Sequence, residues 1–204
     1  MGNLLTRRRE LILASGGSSN GFDWDYTMGL PTDYGWTRAD SSGSNATETI
    51  RTDDVRIYVK NSNYGFKLYA GFENAIGELE ATYALAGDYC NSMMFLSDGA
   101  TYAFGVRVQH SSNYKGIYLY TASSIGSMTK VMTITKNVNY KIKLVTDGTW
   151  GYVYVDDVLK KNKVDLSTMV NTDYHTRLHY SAADTSHAGY FNLISTKVRV
   201  GSLS

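Results

Sequence analysis

The sequence predicts an all-β fold, a sandwich or barrel of short antiparallel strands, and three observations carry that expectation. From residue 55 onward, apolar and polar residues alternate in short segments separated by Gly, Asn, Ser and Asp turns. No segment of this body holds a sustained apolar period of 3.6 residues, the signature of an amphipathic helix. The one proline, Pro31, lies in an early loop-rich region, so no later ladder loses a backbone donor.

Taken in order, the chain begins with a segment unlike the rest. Residues 1–17 read MGNLLTRRRELILASGG, with an apolar run of four residues, Leu11 to Ala14, after the arginines. A secretory signal needs an apolar run of about 7–15 residues, so that route is not expected. Leu4, Leu5, Arg8, Leu11 and Ile12 fit a short amphipathic helix, too short to be stable alone, followed by the Gly16-Gly17-Ser18-Ser19 linker. Residues 1–17 are therefore expected to be an attachment arm that folds on a partner, with Leu4, Leu5, Arg7, Arg8, Arg9, Leu11 and Ile12 as its contacts; a disordered terminus without a role is the other reading. Residues 18–204 form the expected domain.

Strands are expected at Val55–Lys60, Gly65–Gly71, Gly77–Leu85, Ser92–Ser97, Thr101–Gln109, Gly116–Ala122, Lys130–Thr135, Tyr140–Thr146, Gly151–Asp156, Arg177–Ser181 and Gly189–Val200. The alternation assigns faces within them. Tyr102, Phe104, Val106 and Val108 oppose Arg107 and Gln109, and Leu79, Ala81, Tyr83 and Leu85 oppose Glu78, Glu80 and Thr82. Lys160, Lys161 and Lys163, after Asp156 and Asp157, read as a balanced, solvated turn.

Composition narrows the function classes. A chain of 204 residues suits one domain with a sizeable core. No stretch approaches the ~18–20 apolar residues of a membrane helix. Cys90 stands alone, which excludes an internal disulfide and a multi-cysteine zinc site. Three arginines against one glutamate leave residues 1–17 at +2, and the remainder, with 17 basic and 18 acidic residues, at −1. A near-neutral body is a poor partner for nucleic acid, whose phosphates need clustered cations.

Residues 140–159, YKIKLVTDGTWGYVYVDDVL, resemble a hairpin of the concanavalin A-like lectin/glucanase and laminin G-like superfamily, and Gly189–Gly201 resembles its closing strand. Phe22–Tyr26, Leu30-Pro31 and Trp36 resemble its opening, and Gly77–Leu85 resembles its long central strand. The resemblance implies a jelly-roll sandwich of two antiparallel sheets, one of them curved to give a concave face where relatives bind or cleave glycans. Asn192 and Asp157 depart from the family pattern, the first weakening any expectation of calcium.

Glycoside hydrolases of this superfamily carry acid and nucleophile in a Glu-x-Asp-x-Glu strand. Here Glu78 and Glu80 share one face but Thr82 holds the third position, so the pair reads as a solvated face or, alternatively, as a catalytic dyad. His175 and His179 have zinc-helix spacing in a segment that reads as strand or turn, without the glutamate or a third ligand, and neither metal nor cofactor is expected. Seventeen tyrosines remain to be placed. Tyr118 and Tyr120 oppose Ile117 and Leu119, and Tyr152 and Tyr154 oppose Val153 and Val155; if the aliphatic residues fill the core, the tyrosines face outward. Outward tyrosines suit sugar stacking, protein interfaces or packing between subunits. With Tyr69, Glu78, Glu80 and Arg107 they form the candidate glycan face, and Trp36 and Trp150 are further aromatic candidates.

The run Met1–Leu13 resembles the start of structural proteins of phages and prophages. Together these readings predict a non-enzymatic virion structural or adhesion protein, of fibre, tail or decoration type. It would be anchored to other virion proteins through residues 1–17, would be oligomeric, and would display a lectin-like domain to a glycan or host surface. The alternatives are a polysaccharide-degrading hydrolase using Glu78 and Glu80, or a bacterial carbohydrate-binding module.

Overall fold

A computed structural model describes residues 20–39, 45–71, 76–97, 103–121, 129–167 and 175–200; the attachment-arm residues lie outside them. In chain order the strands are β1 (Asn20–Asp25), β2 (Thr37–Arg38), β3 (Ala46–Ile50), β4 (Val55–Val59), β5 (Phe66–Gly71), β6 (Ile76–Leu85), β7 (Cys90–Ser97), β8 (Ala103–His110), β9 (Lys115–Thr121), β10 (Thr129–Met132), β11 (Tyr140–Asp147), β12 (Trp150–Val155), β13 (Val158–Asp165), β14 (His175–Ala182) and β15 (Gly189–Val200). Two 3-10 turns, Tyr26–Met28 and Pro31–Tyr34, follow β1. Asp25 caps the first by accepting from the Thr27 amide at 2.9 Å.

The strands form two antiparallel sheets. The eight-stranded sheet runs β13-β12-β11-β6-β15-β4-β3, with β1 also on β15, and the seven-stranded sheet runs β10-β9-β8-β7-β14-β5-β2. Parity along each strand decides what lies between them. Phe66 and Leu68 of β5, Met94 and Leu96 of β7, Val106 and Val108 of β8 and Leu178 and Tyr180 of β14 are buried against Leu79 and Ala81 of β6, Ile142 and Leu144 of β11 and Phe191 and Leu193 of β15. The result is the all-β, two-sheet jelly-roll sandwich that the sequence predicts.

Two polar pairs bridge the inside of the sandwich, whereas the buried Tyr180 hydroxyl has no hydrogen-bond partner among the described residues. Tyr83 Oη and Ser92 Oγ lie 2.7 Å apart, and Trp36 Nε1 donates to Thr196 Oγ1 at 2.8 Å. Trp36 is thus a core residue, not an exposed aromatic. Cys90 is buried as well, and burial raises its thiol pKa, which keeps it the small hydrophobe its sequence context implied.

Two expectations about elements are corrected. Lys160, Lys161 and Lys163 lie in the edge strand β13, not in a turn; lysines suit an edge because their charges repel further strand addition. The short β2 is also unforeseen, as is β3, sequence Ala-Thr-Glu-Thr-Ile, the longer of the two. Three of its five residues are β-branched, but with one buried position it lacks the apolar alternation that marks the others.

Candidate functional site

The eight residues expected to share a glycan face divide between the two outer surfaces of the sandwich. Glu78, Glu80, Tyr152 and Tyr154 belong to the eight-stranded sheet, whereas Tyr69, Arg107, Tyr118 and Tyr120 belong to the seven-stranded sheet. The sheets face away from each other there, so no single ligand touches both groups.

On the eight-stranded sheet, the pairing register places Tyr154 beside Lys143, Lys143 beside Glu80, Glu80 beside Lys197 and Lys197 beside Asp23. Lys197 Nζ is 2.8 Å from Glu78 Oε1, Arg199 Nη2 is 2.6 Å from Asp23 Oδ1, and Lys143 Nζ lies 4.9 Å from the Tyr154 ring centre. Glu78 and Glu80 are therefore members of a charge-alternating ladder, the ordinary way a solvated sheet face is built.

The other face is different in kind. Its outward residues are those whose chain neighbours are buried: Lys67 and Tyr69 flank Leu68, Arg177 and His179 flank Leu178, and Arg107 lies between Val106 and Val108. The register aligns them in two rows across the strands. One row reads Thr37, Tyr69, Arg177, Phe95, Gly105, Tyr120, and the next reads Lys67, His179, Met93, Arg107, Tyr118, Lys130. A third, shorter row holds Ser181, Asn91 and Gln109.

Contacts fix these side chains. The Arg177 guanidinium lies 4.4 Å from the Tyr69 ring centre and 5.0 Å from that of Phe95, a cation between two aromatic faces. Arg107 Nε donates to Asn91 Oδ1 at 2.7 Å, and Asn91 Nδ2 donates to Ser181 Oγ at 3.0 Å. The Phe95 and Tyr120 rings, 6.4 Å apart, flank Gly105, where a Cβ would come within 2.4 Å of Phe95 Cβ. A Cβ on Gly65 would come within 2.4 Å of His179 Nε2, so glycine is what lets the imidazole lie down there. Burial, with Lys67 and Arg177 nearby, pushes the His179 imidazole down to about 4, leaving it neutral at pH 7. Burial also lowers the Arg107 pKa, yet a guanidinium stays charged.

Phe95, Arg177, Asn91 and Gln109 are site residues that the sequence reading missed. The parity of Leu178 and Tyr180 could have placed Arg177 outward. Phe95 lies in the unbroken apolar run Met93-Met94-Phe95-Leu96, where alternation carries no signal. His175 and His179 are four residues apart on a strand, about 13 Å, too far to share one ion. Among the described residues no cluster of three metal-ligating side chains occurs, and no helix is long and apolar enough to cross a membrane.

The two antiparallel sheets make the jelly-roll sandwich that the concanavalin A-like resemblance implies. No protein-family model and no curated protein matches the sequence. Among solved structures, the chain is similar to an apo Crh5 transglycosylase, with a TM-score of 0.70 and 11% identity over 89% of this chain and 85% of that one. An endo-acting O-glycanase structure from human gut microbiota gives a TM-score of 0.68 at 11% identity, covering 87% of this chain and 98% of the other. The catalytic domain of a Thermotoga petrophila laminarinase gives 0.62 at 12% identity, covering 87% and 95%. These likenesses correct the expectation of a non-enzymatic phage virion or adhesion protein. These three chains, matched over most of their length, are named as glycan-cleaving or glycan-transferring enzymes, and neither a virion role nor the term adhesion finds support among them.

Proposed function

We propose that the protein is a polysaccharide-active enzyme that holds a glycan chain along the outer face of the seven-stranded sheet. The observation that carries this reading is the pair of cross-strand rows. Tyr69 and Tyr120 offer half-buried aromatic surface, Phe95 and Tyr118 are buried between the strands' other side chains, and Arg107, Arg177 and Asn91 offer polar groups. Aromatic rings with interleaved hydrogen-bonding groups match the alternating apolar faces and hydroxyls of a sugar chain. The company of glycan-processing enzymes that share the fold supports the same reading.

Groups on this face able to move a proton include the Tyr69, Tyr118 and Tyr120 hydroxyls and the neutral His179 imidazole. Among the described residues no carboxylate stands in either row. A second reading places hydrolysis on the opposite sheet. Glu78 and Glu80, two residues apart on one strand face, are separated by about 7 Å, within the range that accommodates a water between two carboxylates. The ion pair of Glu78 with Lys197 weighs against it.

A panel of soluble polysaccharides, assayed for newly released chain ends, tests both. The expected outcome is cleavage or transfer by the parent, reduced at least tenfold in Tyr118→Phe or Tyr120→Ala and unchanged in Glu78→Gln with Glu80→Gln. Loss of activity only in the glutamate variants would move the site to the other sheet, and absence of activity on every glycan would refute the enzyme reading.

A further inference from the structure

The two outer faces differ in how their cations are balanced. On the eight-stranded sheet Lys197, Arg199 and Lys141 each meet a carboxylate, of Glu78, Asp23 and Asp157 respectively, while Lys143 and Arg56 lie over the Tyr154 and Tyr190 rings. On the seven-stranded sheet Lys67, Arg107, Arg177 and Lys130 occupy rows that hold no carboxylate among the described residues; Asp88 and Asp184 lie in turns outside these rows. Arg107 is oriented by a neutral amide, Asn91, and Arg177 by two aromatic rings, none of which carries a negative charge. The Arg177 Nε is buried with no hydrogen-bond partner in the protein, as is Gln109 Oε1 in the adjoining row.

Such an arrangement is costly for the protein alone. Four cations on one face repel each other, and among the described residues the two half-buried guanidiniums give up solvation without an ion pair in return. A ligand that brings negative charge recovers that loss, and a guanidinium fork is the side chain best shaped to take a carboxylate or sulfate through two parallel hydrogen bonds. The Cα atoms of Arg107 and Arg177 are two strands and two residues apart, roughly 12 Å, the scale of two sugar residues in a chain.

We infer that the glycan held on this face is an anionic polysaccharide, with acidic groups received by Arg107 and Arg177 while the half-buried Tyr69 and Tyr120 stack on its sugar rings. This inference rests on the proposed glycan face and names the class of chain it takes. Carboxylated and sulfated sugars present the same charge to a guanidinium, and both are accommodated by the chemistry described.

Titration calorimetry of the folded protein with a polyuronate, a sulfated galactan and a neutral β-glucan tests it directly. The expected result is at least tenfold tighter binding of one or both acidic polymers than of the glucan, weakening as salt is raised. Preference for the polyuronate or for the sulfated polymer then assigns the acidic group. Arg107→Gln with Arg177→Gln should abolish the preference for acid, whereas Arg107→Lys should retain part of it; circular dichroism checks that each variant is folded. The comparison among polymers needs no variant, so a misfolded mutant does not shield the inference. Equal binding of neutral and acidic chains, lost in Tyr120→Ala but not in the arginine variants, overturns the anionic class and leaves the glycan face standing. Binding of no glycan overturns both. Tighter binding of a single-stranded oligonucleotide than of any polysaccharide would overturn the choice of a glycan as occupant.

Discussion

His179 illustrates how one side chain couples the site to stability. Its imidazole lies over Gly65 and is held neutral, at about 4, by burial and by the cations beside it, whereas an unfolded histidine titrates near 6.5. Between pH 6.5 and 4 the unfolded chain binds a proton that the folded chain refuses. The stabilisation is therefore complete above pH 6.5 and is lost as the pH falls toward 4, by about 3 kcal/mol in all. Urea denaturation followed at pH 7, 6, 5 and 4 should show this decline, and His179→Gln should flatten it over that window. An unaltered pH dependence in the variant would mean that the group titrates freely in the native protein.

Among the elements, the hairpin of β12 and β13 is the clearest case of a local conflict. Asp156 and Asp157 both have positive φ, 51° and 63°, the backbone of a two-residue type I′ turn whose second position favours glycine. Asp157 offsets part of this strain by pairing with Lys141. That pair is exposed, so its contribution is small. Asp157→Gly is expected to raise stability by about 0.5–1 kcal/mol, measured as an increased denaturation midpoint without a change in slope. The preceding hairpin has no such conflict: Gly148 takes φ 92°, and Asp147 Oδ1 accepts from the Thr149 and Trp150 amides at 3.0 and 2.7 Å. This difference also marks what the sequence could disclose. Asp-Gly between alternating segments announces its turn, whereas the Asp-Asp turn and the lysine-rich strand after it carry no apolar pattern, so that the lysines of β13 read as a turn. Facing was legible wherever aliphatic and polar residues alternate, as for Tyr118 and Tyr120, and illegible in the apolar run of β7 that supplies Phe95.

At the scale of the whole molecule, the sandwich was legible because its strands repeat one simple pattern, but which strands share a sheet was not. Tyr152, Tyr154, Glu78 and Glu80 face outward as alternation predicts. Only the pairing of β6 with β11 and β15, set by contacts distant in sequence, puts them on the opposite surface from Arg107. The same long-range pairing makes the eight-stranded sheet dependent on one strand. β15 joins β6 along one edge and both β4 and β1 along the other, and its partners include Asn20 against Val200. Removing residues 189–200 should abolish cooperative thermal unfolding instead of merely lowering its midpoint. A cooperative transition in the shortened chain would show that the remaining strands suffice.

That arrangement also bears on how the protein is made. On the ribosome, β1, β4 and β6 emerge well before the segment that binds all three, so during synthesis they wait with unpaired edges and an uncovered apolar face. Completion of the sheet belongs to the period after β15 has left the exit tunnel, and the need to protect nascent chains from aggregation until then is greatest for this half of the sandwich.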